Sequence, residues 1–265
     1  MKLISILIAI CFGTIVSAQS ELRQLVTADQ VKAWSGVGRL DVKSESQRRF
    51  CSGALISPTH VLTAAHCVTD MITGNVLDAA GIQFLAGWRD GRASAYGRAR
   101  RVVVHPGYKA TLDVSNENVS SDLAIVELAV PMNANGIRPF QRENQPRIGQ
   151  KLIVVSYAHD RSNAPAIEEE CHVLKRQGRV IIASCSVDFG ASGAPIFVME
   201  GGIPKIASVV SAKAKMNGKL VSYGVSLEEP LNELLLELSQ RSDVFQSKKP
   251  GGSLASQLGR QKKQR

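Results

Sequence analysis

Three short segments of this sequence carry side chains that could act together on a carbonyl group. In "FCSGALISPTHVLTAAHCV" (50–68), an apolar run ends at His66, beside Cys67. In "SSDLAIVEL" (120–128), Asp122 opens another apolar run, and in "CSVDFGASGAP" (185–195), Ser192 lies among small residues. A serine hydroxyl attacks an amide or ester only when a base takes its proton, a third group orients that base, and donors await the oxyanion. His66 is the candidate base. Asp122 is the candidate orienting group, because a carboxylate at the start of an apolar strand is partly buried and needs a partner such as an imidazole N–H. Ser192 is the candidate nucleophile. Gly190 allows a sharp turn that aims the N–H groups of Gly190 and Ser192 into one concavity. Losing such a donor costs roughly 3–4 kcal/mol of transition-state stabilisation.

Other residues compete for these roles less well. His60, His105, His159 and His172 lack a comparable setting and read as structural. Asp113, in a polar loop, is a weaker acid candidate. "GASGAP" is close to the Gly-x-Ser-x-Gly turn of α/β-hydrolases, but Ala194 breaks that pattern, no helix follows, and the residue order differs.

The elements that must hold these side chains are strands. A dozen short β-like runs, from "SGVGRLDV" and "GALIS" to "IASVVS" and "LVSYGVSL", are separated by Gly, Asn, Asp and Pro with no helices between them. That pattern predicts an all-β sandwich or barrels. "VTADQVKAW" (26–34) reads as one helical turn. "EPLNELLLELSQR" (229–241) reads as a true helix, because Leu231, Leu234, Leu235 and Leu238 recur at three- and four-residue steps behind Pro230. "PMNANGIRPFQRENQPRIGQ" (131–150) reads as a linker between halves of similar strand number.

With 44% apolar residues in a chain of 265, the composition is globular. Residues 1–18 have a basic start, an apolar run and a Val16-Ser17-Ala18 end, the pattern of a cleaved export signal. No later stretch predicts a membrane span. Export leaves Cys51, Cys67, Cys171 and Cys185 in an oxidising compartment. Of the three possible pairings, the adjacent one closes two short loops and is expected, at about 3 kcal/mol per bridge. A zinc site is disfavoured by the absence of any Cys-x-x-Cys spacing. Of the net charge of +9, Lys2 leaves with the signal and six cations sit in the tail 247–265, so residues 19–246 keep only about +2. The tail should be disordered, and the body carries no nucleic-acid signal.

The three segments, in this order, resemble the His, Asp and Ser motifs of chymotrypsin-like (trypsin-fold) serine proteases, over roughly residues 35–227. "LTAAHC" matches without a gap, "DLAIVEL" matches the aspartate motif, and "GASGAP" matches Gly-Asp-Ser-Gly-Gly-Pro with two alanine changes. "VVVHPGY" (102–108) and "VVSAKA" (209–214) resemble the segments before the aspartate and along the substrate strand. The resemblance implies an all-β fold of two antiparallel six-stranded β-barrels with a C-terminal α-helix. The implied divisions are an N-terminal segment and first barrel at 19–130, linker and second barrel at 131–228, and helix at 229–246. It implies a serine endopeptidase with a His66, Asp122 and Ser192 triad, an oxyanion hole at Gly190 and Ser192, and no metal or cofactor. The substrate would be a protein or peptide, with Ser186 at the base of the primary pocket and Ser211, Lys213 and Gly224 along its walls. Lys213 reads as solvated, or as attracting an acidic side chain.

The departure at Ala191 bears on activation. In animal digestive members the acid at this position pairs with an N-terminal ammonium freed by cleavage. This chain lacks both the acid and an Ile-Val-Gly-Gly-like start, so its active loop should be held by other contacts, as in many bacterial relatives. A secreted or periplasmic monomer is expected. An inactive binding protein on the same fold is the alternative, and a quality-control protease is disfavoured because the chain ends soon after the second barrel.

Overall fold

The computed structural model describes residues 22–44, 48–111, 114–133, 136–143 and 145–246. The signal-like segment 1–18, Asp113 and the basic tail 247–265 lie outside the described residues. A two-residue strand β1 (Arg23–Gln24) comes first, then a single turn of helix, α1 (Ala28–Lys32). That turn starts where it does because Thr27 and Gln30 cap each other. The Thr27 hydroxyl accepts the Gln30 N–H at 3.2 Å, and the Gln30 side chain accepts the Thr27 N–H at 3.1 Å.

Six strands then close into the first barrel: β2 (Val37–Lys43), β3 (Arg48–Ser57), β4 (His60–Thr63), β5 (Ile82–Ala86), β6 (Ala95–Val104) and β7 (Ala124–Leu128). The ring runs β2-β3-β4-β7-β6-β5 and back to β2, antiparallel throughout. Short runs of Val, Ile, Leu and Ala fill its interior, with Phe84 fully buried. Glu127 is the one acid within β7, and Arg100 and Arg101 neutralise it from the neighbouring strand.

Among its described residues the linker carries only a two-residue strand, β8 (Gln141–Arg142). The second ring follows with β9 (Lys151–Ser156), β10 (Ala166–Gln177), β11 (Val180–Ala183), β12 (Pro195–Glu200), β13 (Ile203–Met216) and β14 (Lys219–Ser226). It runs β9-β10-β11-β14-β13-β12 and closes on β9. β1 adds to β10, and β8 adds to β13 in parallel. The strand pattern leaves a sandwich or barrels open; the two six-stranded barrels that the resemblance implies are the fold adopted. The first strand, however, belongs to the second barrel's sheet.

A continuous apolar core joins the barrels. Trp34, Phe140 and Phe197, from the first half, the linker and β12, meet with ring centroids 4.7–6.4 Å apart. Sparse aromatics are thus concentrated where two curved surfaces need large side chains to fill the gap. Two disulfides, Cys51–Cys67 and Cys171–Cys185, follow the adjacent pairing.

A short helical turn, α2 (Asn116–Val119), precedes β7, and the last element is the helix α3 (Glu228–Gln246). Leu231, Leu234 and Leu238 are buried, whereas Leu236 is 59% exposed. His105, at the end of β6, bonds Glu233 of α3 through Nε2 at 2.9 Å, and Arg179 of the second barrel bonds Glu229 and Glu233. The helix is thereby clamped to both barrels. Leu234→Ala should cost about 2–5 kcal/mol, and Leu236→Ala no more than about 0.5 kcal/mol. Urea unfolding midpoints check this, and equal costs would contradict the packing.

Candidate active site

Each of the three chemical side chains sits just off the end of a strand. β4 runs into a 3₁₀ turn, Ala65–Cys67, which carries His66. The Cys51–Cys67 bridge ties that turn to β3, and the Thr69 hydroxyl donates to the Ala65 carbonyl at 2.9 Å. Asp122 lies between a short helix, α2 (Asn116–Val119), and β7, with its own N–H bonded to the Val119 carbonyl at 3.1 Å. Ser192 occupies the turn leading into β12.

Asp122 is 3% exposed, so its carboxylate must be satisfied from within. Oδ1 accepts the His66 backbone N–H at 2.9 Å, and Oδ2 accepts the His66 Nδ1–H at 2.8 Å. Oδ2 also accepts the Ser211 hydroxyl, from β13 of the second barrel. With its proton on Nδ1, the imidazole presents Nε2 as an acceptor. Burial alone would raise the Asp122 pKa, but the charge and hydrogen bonds of His66, with the Ser211 hydroxyl, hold it below the usual carboxylate range. Burial pulls the His66 pKa down, and the Asp122 charge and hydrogen bond overcome this to leave it raised.

The loop around Ser192 is built by hydrogen bonds from the other barrel. Ser52 of β3, fully buried, donates its N–H to the Ser192 carbonyl at 2.8 Å and its hydroxyl to the Gly190 carbonyl at 2.9 Å. The same hydroxyl accepts the Tyr157 N–H at 2.9 Å. Two further bonds orient the oxyanion-hole candidates. The Phe189 carbonyl accepts the His159 N–H at 2.8 Å, and the Ala191 carbonyl accepts the Ala194 N–H at 2.9 Å. In a trans peptide the N–H points opposite to the C=O, so the Gly190 and Ser192 N–H groups face away from these partners. Among the described residues neither N–H has an acceptor. Glycine is required here: Gly190 has φ +95°, and a Cβ there would lie 2.6 Å from the Phe50 ring. A Cβ on Gly193, at φ +76°, would lie 2.1 Å from the Thr63 hydroxyl. Ala191 is fully buried in an apolar cluster with Cys171, Cys185 and Ile196. An acid at that position would enter hydrocarbon.

His66, Asp122, Gly190 and Ser192 line one open cleft of about 440 Å³ between the barrels, together with Ser211 and Lys213. The Ser192 hydroxyl makes no hydrogen bond among the described residues. Such contacts often close only when substrate binds. The remaining sequence-selected residues divide. Ser211, read as substrate-binding, gives its hydroxyl to Asp122. Lys213 is not simply solvated: its Nζ lies 2.7 Å from Asp188 Oδ1 and 4.1 Å from the Phe189 ring centroid. Ser186 does not line the cleft; its N–H donates to the buried Glu168 at 2.8 Å. Gly224 is also away from the cleft wall, inside the second barrel, where a Cβ would lie 2.3 Å from the Ser208 hydroxyl. Cys51, His66 and Cys67 are close enough to suggest a metal site, but both sulfurs are committed to a disulfide and cannot ligate as thiolates. Sequence reasoning missed Ser52 and, reading His159 as structural, gave its backbone N–H no part in this loop. A serine inside a strand and a backbone N–H carry no spacing signal.

Residues 27–227 match the family model described as Trypsin. A cercarial protease of Schistosoma mansoni is 28% identical over 167 residues, 59% of this chain and 60% of that protein's length. Trypsin Blo t 3 of Blomia tropicalis is 21% identical over 206 residues, 74% of this chain and 72% of the relative. Among solved structures, a Glu endopeptidase in complex with MPD superposes with a TM-score of 0.65 at 14% identity, covering 83% of this chain and 97% of that one. At that identity the likeness is one of fold.

Two outcomes follow from the geometry. Ser52→Ala leaves the Tyr157 N–H without its acceptor and frees the Gly190 carbonyl, so it should cost about 1–3 kcal/mol and slow labelling of Ser192 by a serine-reactive probe. Unchanged labelling in the folded variant would show that Ser52 does not hold the loop. The His66–Asp122 pair sets a pH window. Because the His66 pKa is raised, its contribution to stability is complete below the ordinary histidine value of about 6.5 and is lost as pH rises through the folded value. Asp122's contribution is present above about 3.9 and is lost as pH falls through its depressed folded value. In Asp122→Asn, burial and the Arg49 charge, which both lower it, are left acting on His66, and an NMR titration should move its pKa downward. An upward or null shift would contradict the pairing.

Proposed function

Because this chain belongs to the trypsin family of serine endopeptidases, we propose that it hydrolyses peptide bonds outside the cytoplasm through Ser192, His66 and Asp122. The observation that carries this reading is the buried Asp122 carboxylate, bonded to both the backbone and the ring of His66 in the cleft that Ser192 lines. His66 Nε2 takes the Ser192 proton as Oγ attacks the scissile carbonyl carbon. The resulting oxyanion is held by the Gly190 and Ser192 N–H groups. His66 then gives the proton to the leaving amine, the C–N bond breaks, and an acyl-enzyme ester remains on Ser192. A water that loses its proton to His66 attacks this ester, and the released serine is reprotonated. Asp122 stabilises the imidazolium without itself taking the proton.

Export is supported by the signal-like residues 1–18 and by two disulfides, which suit an oxidising compartment. Among the described residues no helix is long and apolar enough to cross a membrane. A strong preference for Arg or Lys is not expected through Ser186. An acidic side chain could reach Lys213 only by displacing Asp188.

A fluorophosphonate probe tests the function directly. It should label the wild type and not Ser192→Ala, while His66→Ala should lower peptide hydrolysis by about 10²–10⁴-fold or more. A folded wild-type protein that resists the probe would support the alternative, an inactive binding protein.

A further inference from the structure

A second groove, of about 700 Å³, opens beside the active-site cleft and shares Arg49, Phe50 and His159 with it. Five cations line it: Arg39, Lys43, Arg48, Arg49 and Arg98. Asp41 is the one carboxylate among the described lining residues, and Arg39 Nε already bonds it at 2.6 Å. Lys43, Arg48 and Arg98 are exposed and make no ion pair with a described residue. The groove's floor is aromatic. Phe50 stacks on His159 with centroids 4.9 Å apart, and the Arg39 guanidinium lies 4.3 Å above the Phe50 ring.

The position of this groove relative to Ser192 identifies what would enter it. One wall of the cleft is β13 from Ser211 to Lys213, with the Asp188–Lys213 pair on its rim. The opposite wall is Phe50 and the Cys51–Cys67 bridge, and Phe50 is the ring that a Cβ on Gly190 would strike. A polypeptide with its acyl half against β13 must carry its leaving half over Phe50 and into the cationic groove.

We propose that this groove binds acidic side chains of the substrate on the leaving-group side of the scissile bond. The inference rests on the endopeptidase reading above. An acidic peptide fits better than a nucleic acid because the groove continues the cleft and its aromatic floor is reached from Ser192. Each exposed charge pair contributes a factor of roughly 1.5 to 5, so three together should give about a tenfold preference. Exposed charges are screened over about 8 Å at physiological ionic strength, so added salt should erode the preference.

The test uses peptides identical on the acyl side that carry Glu, Gln or Lys at the second to fourth leaving positions. The Glu peptides should show kcat/KM about tenfold above the Gln peptides, with the Lys peptides lowest. The combined variant Lys43→Gln, Arg48→Gln, Arg98→Gln should abolish this ranking while hydrolysing a simple ester, which has no leaving-side residues, at the wild-type rate. Equal cleavage of all three peptides, or a ranking that survives in the variant, overturns the proposal. If neither peptide nor ester is turned over, the endopeptidase reading fails and the groove is judged by binding alone. A fluorescent Glu-rich peptide should then bind the Ser192→Ala protein and not the same protein carrying the triple change. Absence of that binding, or tighter binding of a single-stranded oligonucleotide, overturns the assignment.

Discussion

The structure turns on one buried negative charge. Asp122 lies at the seam of two barrels, almost without access to water, and must find its compensation in protein donors. It draws them from both sides. His66 comes from the first barrel and Ser211 from the second, so the hydrogen bonds that fix the imidazole also help fix how the barrels meet. A shift of either barrel would strand the carboxylate. The cost of an unpaired buried charge therefore enforces the placement of the His66 imidazole.

The loop around Ser192 shows a different solution to the same problem of position. Where the digestive relatives use an ion pair with a newly freed N-terminus, this chain buries the Ala191 methyl among Cys171, Cys185 and Ile196. The orienting work passes to neutral hydrogen bonds from Ser52, Tyr157 and His159. A neutral network of this kind joins the two barrels without using an N-terminal charge. It also avoids the desolvation cost that two charges would incur in the same apolar setting.

The rims of the cleft carry charge of unequal availability. On one side Lys213 is already occupied by Asp188 and rests against Phe189. On the other, several arginines and a lysine face a groove with little acid to balance them. The body's modest net charge conceals this division, because acids and bases are distributed to different faces.

Much of this was legible in the chain itself. Alternating apolar runs broken by Gly, Asn and Pro specify strands through local sterics and burial, and the three reactive segments are recognisable by residue type within a few positions. The leucine spacing that predicted the C-terminal helix works for the same reason, since a helix face is set by neighbours three and four residues apart. Ser52 could not be found this way. Its partners in and around the Ser192 loop are Gly190, Ser192 and Tyr157, more than a hundred residues distant, and nothing in its own neighbourhood distinguishes it from any strand serine. Ser186 and Gly224 lie outside the cleft lining for the converse reason: matching position in a motif does not determine which surface a strand turns toward the cleft. The sequence alone determined which elements form and which polar residues stand at their ends, because those depend on residue type and short-range steric and hydrophobic patterns. Only the tertiary structure decided which distant groups share a hydrogen bond, because that depends on how two closed barrels settle against each other.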